Sequence, residues 1–353
     1  MEKNEVKDGK FLTLGIESSC DETAASVVAD GREVLSNVIA SQIDIHKVFG
    51  GVVPEIASRH HLTAINFVTE QAIAESGASM EEIDLVAVTE GPGLIGAVLI
   101  GLASAKALAY ATGKPLVGVH HIKGHIAAAY LEGLDSGSKA GMTNDLEPPF
   151  LSLVVSGGHT SLIEVKNYCE MNLLGSTRDD AVGEAYDKVA RVLGLGYPGG
   201  PKVDALAKEG NPSAIDFKRV LLEKGSLDFS FSGIKTGVIN YINSAKQAGR
   251  EIAAADVAAS FQQSVIDVLV IKTMEALKQT GHRTLTLSGG VASNSALRGI
   301  MKENCEKAGI ELVIPSPIFC TDNAAMIACA GYYKYGSEGA DGLDMDAHAV
   351  LSL

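Results

Sequence analysis

His121 and His125 stand four residues apart in the stretch His120-His121-Ile122-Lys123-Gly124-His125. On a helix both imidazoles leave one face and can share a metal ion, although paired histidines at this spacing also occur as structural or surface residues. The best candidate for a third ligand is Asp322, in the turn Cys320-Thr321-Asp322-Asn323 ahead of the small-residue run Ala324 to Gly331. Two histidines and one carboxylate with open positions suit iron(II) or zinc. The plainer reading makes Asp322 the N-cap of the helix that follows. A metallopeptidase of the H-E-x-x-H type needs a glutamate directly after the first histidine as general base, and that position is Ile122.

Two further clusters can bind a ligand. Ser156-Gly157-Gly158 follows the apolar run Phe150 to Val155, and Ser288-Gly289-Gly290 follows Thr284 to Leu287. Main-chain amides of such loops can receive anionic oxygen; the bland alternative is a pair of ordinary strand-to-loop turns. Asp180, Glu184, Asp187 and Arg191 recur at i+3/i+4 spacing, the pattern of a solvated helix face with internal ion pairs. Tyr197-Pro198-Gly199-Gly200-Pro201 follows closely, and an acid beside such a turn can also hydrogen-bond a ribose or polyol.

The elements that must position these residues read as strands alternating with helices, the signature of an α/β protein. Phe11 to Ile16 is apolar, Glu17 to Thr23 polar, Ala24 to Ala29 apolar again, and Asp30-Gly31 turns the chain before Val34, which together predict a β-meander. Asp84 to Thr89 predicts a strand feeding the helix Leu94 to Ala111 through Glu90-Gly91-Pro92-Gly93, and Pro115 to Val119 predicts a strand ending at the histidines. The polar stretch 135–149 predicts a linker, after which the opening pattern returns with Phe150 to Val155 and Leu162 to Val165. The two halves look like relatives.

A chain of 353 residues is expected to hold two domains or one duplicated fold. Hydrophobic residues at 46% and charged residues at 20% exclude a wholly disordered chain. The net charge of −14 excludes a histone-like or polybasic partner surface, so a nucleic-acid contact needs a local patch. One candidate is 229–250, with Lys235, Lys246, Arg250 and no acid, unless it is a sampling fluctuation; Lys235 is expected in a glycine-flanked turn, Ser232 to Gly237. Met1 to Lys10 is too polar for a secretory signal, and the uncharged stretch Gly91 to Ala105 is too short for a membrane span. Five cysteines without C-x-x-C argue against a disulfide framework. A cytoplasmic chain without a membrane partner is expected.

The strings GIESSCDET (15–23), VPEIASRHH (53–61), EGPGLIGAVLIGLASAKALA (90–109), HHIKGH (120–125), VVSGGHT (154–160), DDAVGEAYDKVARVLGLGYPGGP (179–201), DFSFSGIKTG (228–237) and LSGGVASNSALR (287–298) together resemble the tRNA N6-adenosine threonylcarbamoyltransferase family, called TsaD in bacteria and once described as O-sialoglycoprotein endopeptidases. The match runs from about Phe11 to the C-terminal segment. The resemblance implies two related α/β lobes of the actin, Hsp70 and sugar-kinase class, ribonuclease H-like, around a nucleotide- and metal-binding cleft. Its domain expectation is a tail at 1–10, a first lobe at 11–134, the linker 135–149, a second lobe at 150–322, and a helix and tail at 323–353 packing back on the first lobe.

The resemblance also implies transfer of the threonylcarbamoyl group of threonylcarbamoyl-AMP to N6 of adenine 37 in tRNAs reading codons that begin with A, releasing AMP. The family's metal ligands fall on His121, His125 and Asp322. Its substrate-binding positions fall on Val154, Val155, Ser156, Gly157, Gly158, Asp187, Gly200 and Asn294. Asp21 and Glu22 are candidates for positioning the amine or taking its proton. Implied partners are tRNA, a paralogous TsaB-like subunit without the metal site, and a small P-loop ATPase, TsaE-like. A sugar-kinase-type enzyme of the same fold would need no two-histidine site, and a non-catalytic nucleotide-binding scaffold would tolerate loss of the metal ligands.

Overall fold

The computed structural model describes residues 9–132 and 146–353, so most of the tail 1–10 and of the linker 135–149 lies outside the described residues. Two compact units emerge. The first comprises the chain up to Pro148, Lys166–Met171 and Ile314–Leu353; the second comprises Pro149–Val165 and Asn172–Val313. The later boundary therefore lies at residue 313 rather than 322. Its cause is the short strand Glu311–Val313, which pairs within the second sheet and after which the chain packs with the first unit.

In the first unit, β1 (Leu12–Glu17), β2 (Glu22–Ala29), β3 (Glu33–Ser41), β4 (Leu85–Gly91) and β5 (Leu116–His120) form one sheet in the order β3-β2-β1-β4-β5. β1 pairs antiparallel with β2 and parallel with β4, and β4 pairs parallel with β5. Asp30 and Gly31, with φ of 50° and 71°, supply the left-handed backbone of the turn from β2 to β3, which Arg32 N–H closes by donating to the Ala29 carbonyl at 3.1 Å. Successive residues of β1 face opposite sides. Ile16 packs with Ile65 of the helix Pro54–Ser76 and Leu102 of the helix Ile95–Thr112. Gly15 lies under the start of the helix Ala325–Glu338, where a Cβ would come within 2.2 Å of the Ala324 carbonyl oxygen. That glycine lets the C-terminal helix approach the sheet closely enough to carry its preceding turn to the end of β5.

The second unit repeats the plan. β6 (Phe150–Val155), β7 (Thr160–Val165), β8 (Met171–Ser176), β9 (Thr284–Ser288) and β10 (Glu311–Val313) are ordered β10-β9-β6-β7-β8, the same topology read from the other edge. β6 pairs antiparallel with β7 and parallel with β9. The edge strands β8 and β10 are partly exposed, and β10 is only three residues long, so neither carries the apolar run that marks the central strands.

Among the described residues, two helices are long and apolar enough to cross a membrane by length and composition, Ile95–Thr112, which extends the uncharged stretch Gly91 to Ala105, and Ala254–Thr280. Lys106 interrupts the uncharged run of the first without ending the helix. Both helices pack on their own units: the first, a third buried, on β4 and the helix Pro54–Ser76, the second, two-thirds buried, on the helix Gly199–Ala207 and on β6.

Candidate active site and metal centre

The helix His121–Ala127 starts directly where β5 stops. His120 caps it, its Nδ1 accepting from the Ile122 amide at 3.1 Å while Nε2 donates to the Leu351 carbonyl at 3.2 Å. The fixed start projects the next two histidines to one side, with ring centroids 4.7 Å apart and planes at 79°. Asp322 meets them from the turn before the helix Ala325–Glu338. Its neighbour Asn323, ahead of the N-cap Ala324, ties down the first turn of that helix, Oδ1 accepting from the Met326 amide at 3.0 Å. Asp322 is thereby turned toward the histidines, its Oδ1 3.5 Å from His121 Nε2 and 3.2 Å from His125 Nε2.

Each of the three residues offers one ligand atom, and these atoms lie within 4.8 Å of one another. His125 is fully buried; its Nε2 faces Asp322 Oδ1 at 3.2 Å without the alignment of a hydrogen bond, and its Nδ1 has no hydrogen-bond partner. A buried imidazole nitrogen without a hydrogen bond is costly unless something else satisfies it. A divalent cation between the two Nε2 atoms and the carboxylate fits that need, and the donor set suits iron(II) or zinc.

The sequence did not single out Glu17, the last residue of β1. Its Oε2 lies 3.0 Å from His121 Nδ1 and accepts from Thr89 Oγ1 at 2.6 Å, while its Oε1 accepts from the Ser19 amide. Burial alone would push its carboxyl up, yet His121 outweighs burial and holds it below the usual carboxylate range. Burial likewise lowers the His121 imidazole, but attraction from Glu17 and Asp322 prevails and raises it to about 9. The only trace in the sequence is an acid closing an otherwise apolar strand.

Asp21 ends the turn between β1 and β2 and Glu22 opens β2, both in the same unit as the triad. Asp21 is buried. Glu22 accepts from Ser41 Oγ at 3.0 Å, and burial, followed by the charges of Asp21 and Asp322, raises its carboxyl to about 9. Burial, then Asp21 and Asp322, also pushes the Cys20 thiol well up, which keeps it from acting as a thiolate.

The second unit gathers the remaining positions. Val154 and Val155 end β6, and the following loop is closed by Ser156 N–H donating to the His159 carbonyl at 2.8 Å. Gly157 and Gly158 have open space where a Cβ would stand. Gly183 N–H donates to the Ser156 carbonyl at 3.2 Å, tying the loop to the helix Val182–Val192 that carries Asp187. Asp187 Oδ1 accepts from the Gly199 amide at 2.7 Å, which sets the start of the helix Gly199–Ala207 and leaves open space above Gly200. Asn294 caps the helix Ser295–Ala308, with Oδ1 accepting from Leu297 N at 2.9 Å and Nδ2 donating to Gln262 Oε1 at 2.8 Å. Tyr186 donates to that same Gln262 oxygen at 3.4 Å. Gly289, at φ 89°, lies where a Cβ would meet the Val155 carbonyl oxygen at 2.4 Å, so the second Ser-Gly-Gly loop lies against the first.

Two expectations need correction. Asp180 precedes the helix Val182–Val192 instead of lying on it, although Lys188 still pairs with both Asp180 and Glu184 at 2.8 Å. Ser232 to Gly237 is no turn but the opening of the helix Ser232–Gln247, because Asp179 caps it by accepting from the Phe231 and Ser232 amides at 2.8 and 3.2 Å. Lys235 is consequently largely buried and paired with Asp180.

A family model described as tRNA N6-adenosine threonylcarbamoyltransferase (TsaD) matches residues 33–329. A protein of that name from Clostridium beijerinckii is 54% identical over 344 residues, 98% of each chain. Another from Clostridioides difficile is 55% identical over 343 residues, 97% of this chain and 98% of its own. Among solved structures, full-length HypF in a phosphate- and nucleotide-bound form aligns with a TM-score of 0.61 at 13% identity, covering 95% of this chain and 57% of that one. The (R)-2-hydroxyglutaryl-CoA dehydratase component A of Acidaminococcus fermentans aligns with a TM-score of 0.52 at 15% identity, covering 93% of this chain and 100% of its own. At such identities these structures establish the fold, the ribonuclease H-like α/β class.

Proposed function

This chain belongs to the tRNA N6-adenosine threonylcarbamoyltransferase family, and from that membership we propose that it transfers the threonylcarbamoyl group of threonylcarbamoyl-AMP to N6 of adenine 37 in tRNA. The bond from the acyl carbon to the phosphate oxygen breaks, the bond from that carbon to N6 forms, N6 loses a proton, and AMP leaves. The observation that carries the reading is the convergence of His121, His125 and Asp322 in a chain 54% identical to a named transferase over 98% of its length.

An acyl adenylate is already activated, so the protein's task is to hold it, to orient the weakly nucleophilic amine and to stabilise developing charge. His121, His125 and Asp322 would hold one divalent ion, iron(II) or zinc. When bound, such an ion supplies a Lewis acid able to polarise a carbonyl. In the second unit, the amides of Ser156, Gly157 and Gly158 would receive phosphate oxygens, while Asp187 and the backbone at Gly200 would take the ribose. Asn294 holds its helix and Gln262 through one hydrogen bond at each end of its amide and keeps a second N–H that would donate to the nucleotide. Asp21 and Glu22 are assigned to the amine, as the pair of carboxyl groups that positions it or takes its proton.

Action is assigned to the cytoplasm with tRNA, a TsaB-like paralogue and a TsaE-like ATPase as partners. The testing experiment supplies threonylcarbamoyl-AMP and tRNA to the purified chain with and without those partners and follows modified adenosine by mass spectrometry of nuclease digests. Modification that requires His121 and His125 supports the reading. Its absence with all partners present, or full activity of the His121→Ala, His125→Ala double variant, overturns it.

A further inference from the structure

The stretch VPEIASRHH (53–61) contributes nothing to the metal site or the glycine loops, yet it ends in a fully buried histidine. His61 sits on the helix Pro54–Ser76 and reaches the turn between β1 and β2. Its Nε2 lies 2.9 Å from the Cys20 carbonyl oxygen and its Nδ1 lies 2.8 Å from Thr23 Oγ1. A carbonyl can only accept, so Nε2 carries the proton and Nδ1 accepts from the Thr23 hydroxyl. One neutral imidazole therefore bridges the residues on either side of Asp21 and Glu22.

The rest of the turn is tied as thoroughly. Ser18 Oγ donates to the Ala97 carbonyl at 2.8 Å, and the Ser19 carbonyl accepts from the Leu94 amide at 2.8 Å. The Asp21 carbonyl accepts from the Gln42 amide at 3.0 Å. Those anchors come from backbone or hydroxyl groups close to the turn in the packed sheet and its neighbouring helix. His61 differs because it holds two points of the turn at once. Burial depresses its imidazole, which keeps the bridging tautomer intact near neutral pH.

We propose that His61 is a positioning residue for the transfer reaction, clamping Cys20 and Thr23 so that the carboxyl groups of Asp21 and Glu22 keep a fixed geometry. The inference rests on the assignment of Asp21 and Glu22 to the amine. It acts through the turn and touches neither the metal ligands nor the nucleotide loops.

Four variants separate the possibilities. His61→Asn keeps an acceptor for Thr23 and loses the donor to Cys20, His61→Gln can restore that donor, Thr23→Val removes the other half of the bridge, and Asp21→Asn reports on the carboxylate itself. In the assembled enzyme, kcat for transfer is expected to fall about 10- to 100-fold in His61→Asn, in line with the cost of a small misplacement, and to recover substantially in His61→Gln. Metal content and KM for threonylcarbamoyl-AMP should not change, and amide exchange in peptides covering 18–23 should accelerate in His61→Asn and Thr23→Val. Unchanged kcat in His61→Asn, or a loss accompanied by loss of metal or by exchange spread over the whole first unit, overturns the clamp. If Asp21→Asn retains full transfer, the assignment of Asp21 fails by itself; the clamp is then decided by exchange at 18–23, and an unchanged rate there overturns it.

Discussion

Glu17 Oε2 lies 3.0 Å from His121 Nδ1, on the opposite side of the ring from the Nε2 atom that faces Asp322. A carboxylate in that position fixes the ring orientation and makes the imidazole a stronger donor. Glu17→Gln should therefore lower metal affinity about 10- to 100-fold while leaving the far-UV circular dichroism spectrum unchanged. Competition titration with a chromogenic chelator measures the affinity directly. Equal affinities would show that Ser19 Oγ, 3.2 Å from the same Nδ1, and packing suffice to orient His121.

Asp322 and Asn323 are neighbours with separate tasks, and substitution should separate them. Asp322→Ala and His121→Ala should lose stoichiometric metal, read by elemental analysis of the purified chain. Asn323→Ala should keep the metal but lose about 1 kcal/mol of stability, the usual cost of removing a side-chain hydrogen bond to a helix's first turn. Metal retained in Asp322→Ala would return that residue to a purely structural role.

The central architecture was legible because buried strands leave long apolar runs. β1, β4, β5, β6 and β9 were each expected within a few residues of where they lie, and the repeated hairpin gave away the duplication. The histidine pair was readable from local spacing, since His121 and His125 share one helix; Asp322 lies far along the chain and was reached only as an acid beside a helix start and through the family resemblance. Glu17 and His61 were not singled out because their partners are distant in sequence: Glu17 meets Thr89 and His121, and His61 meets Cys20 and Thr23. Only the sheet register and the packing of the helix Pro54–Ser76 bring those atoms together. A spacing rule cannot see such contacts.

Asp187 offers a test of a residue with both a structural and a binding claim. Its acceptance from Gly199 predicts that Asp187→Ala loses about 1.5 to 3 kcal/mol of stability, the range for a hydrogen bond to a charged group. If the carboxylate also serves the ribose, adenylate affinity falls as well. Chemical denaturation gives the first quantity and calorimetry with a non-hydrolysable adenylate analogue gives the second. A loss of stability with unchanged affinity would confine Asp187 to holding the loop at Gly200.

Asp179 should impart acid sensitivity to the second unit. Burial raises its carboxyl, but the hydroxyls of Ser230 and Ser232 and the amides of Phe231 and Ser232 outweigh burial and lower it. A carboxyl with a depressed folded-state value stabilises above its unfolded value, near 3.9, and that contribution is lost as pH falls through the folded value. Asp179→Ala should cost about 1 to 2 kcal/mol at pH 7 and progressively less as the pH drops below about 4. Denaturant melts at pH 7, 5 and 3.5 give the comparison, and a penalty that does not shrink with acid would contradict the capping account.

Lys235 is the cation that the sequence offered for a phosphate, and its environment argues otherwise. It pairs with Asp180, which also holds Lys188, and the lysine side chain is only 18% exposed. A lysine already neutralised releases few further counterions on meeting tRNA, because breaking the pair costs much of what the phosphate would return. Lys235→Ala should thus leave the log-log salt slope of tRNA binding within about half a unit of the unsubstituted enzyme, where loss of a full phosphate contact moves it by about 0.7 to 0.9. The substitution should instead lower stability, since it removes one partner of a largely buried charge. Binding by the assembled complex across a salt series, beside a denaturant melt of the isolated chain, separates the two. A slope reduced by nearly one unit with unchanged stability would restore Lys235 to the tRNA surface.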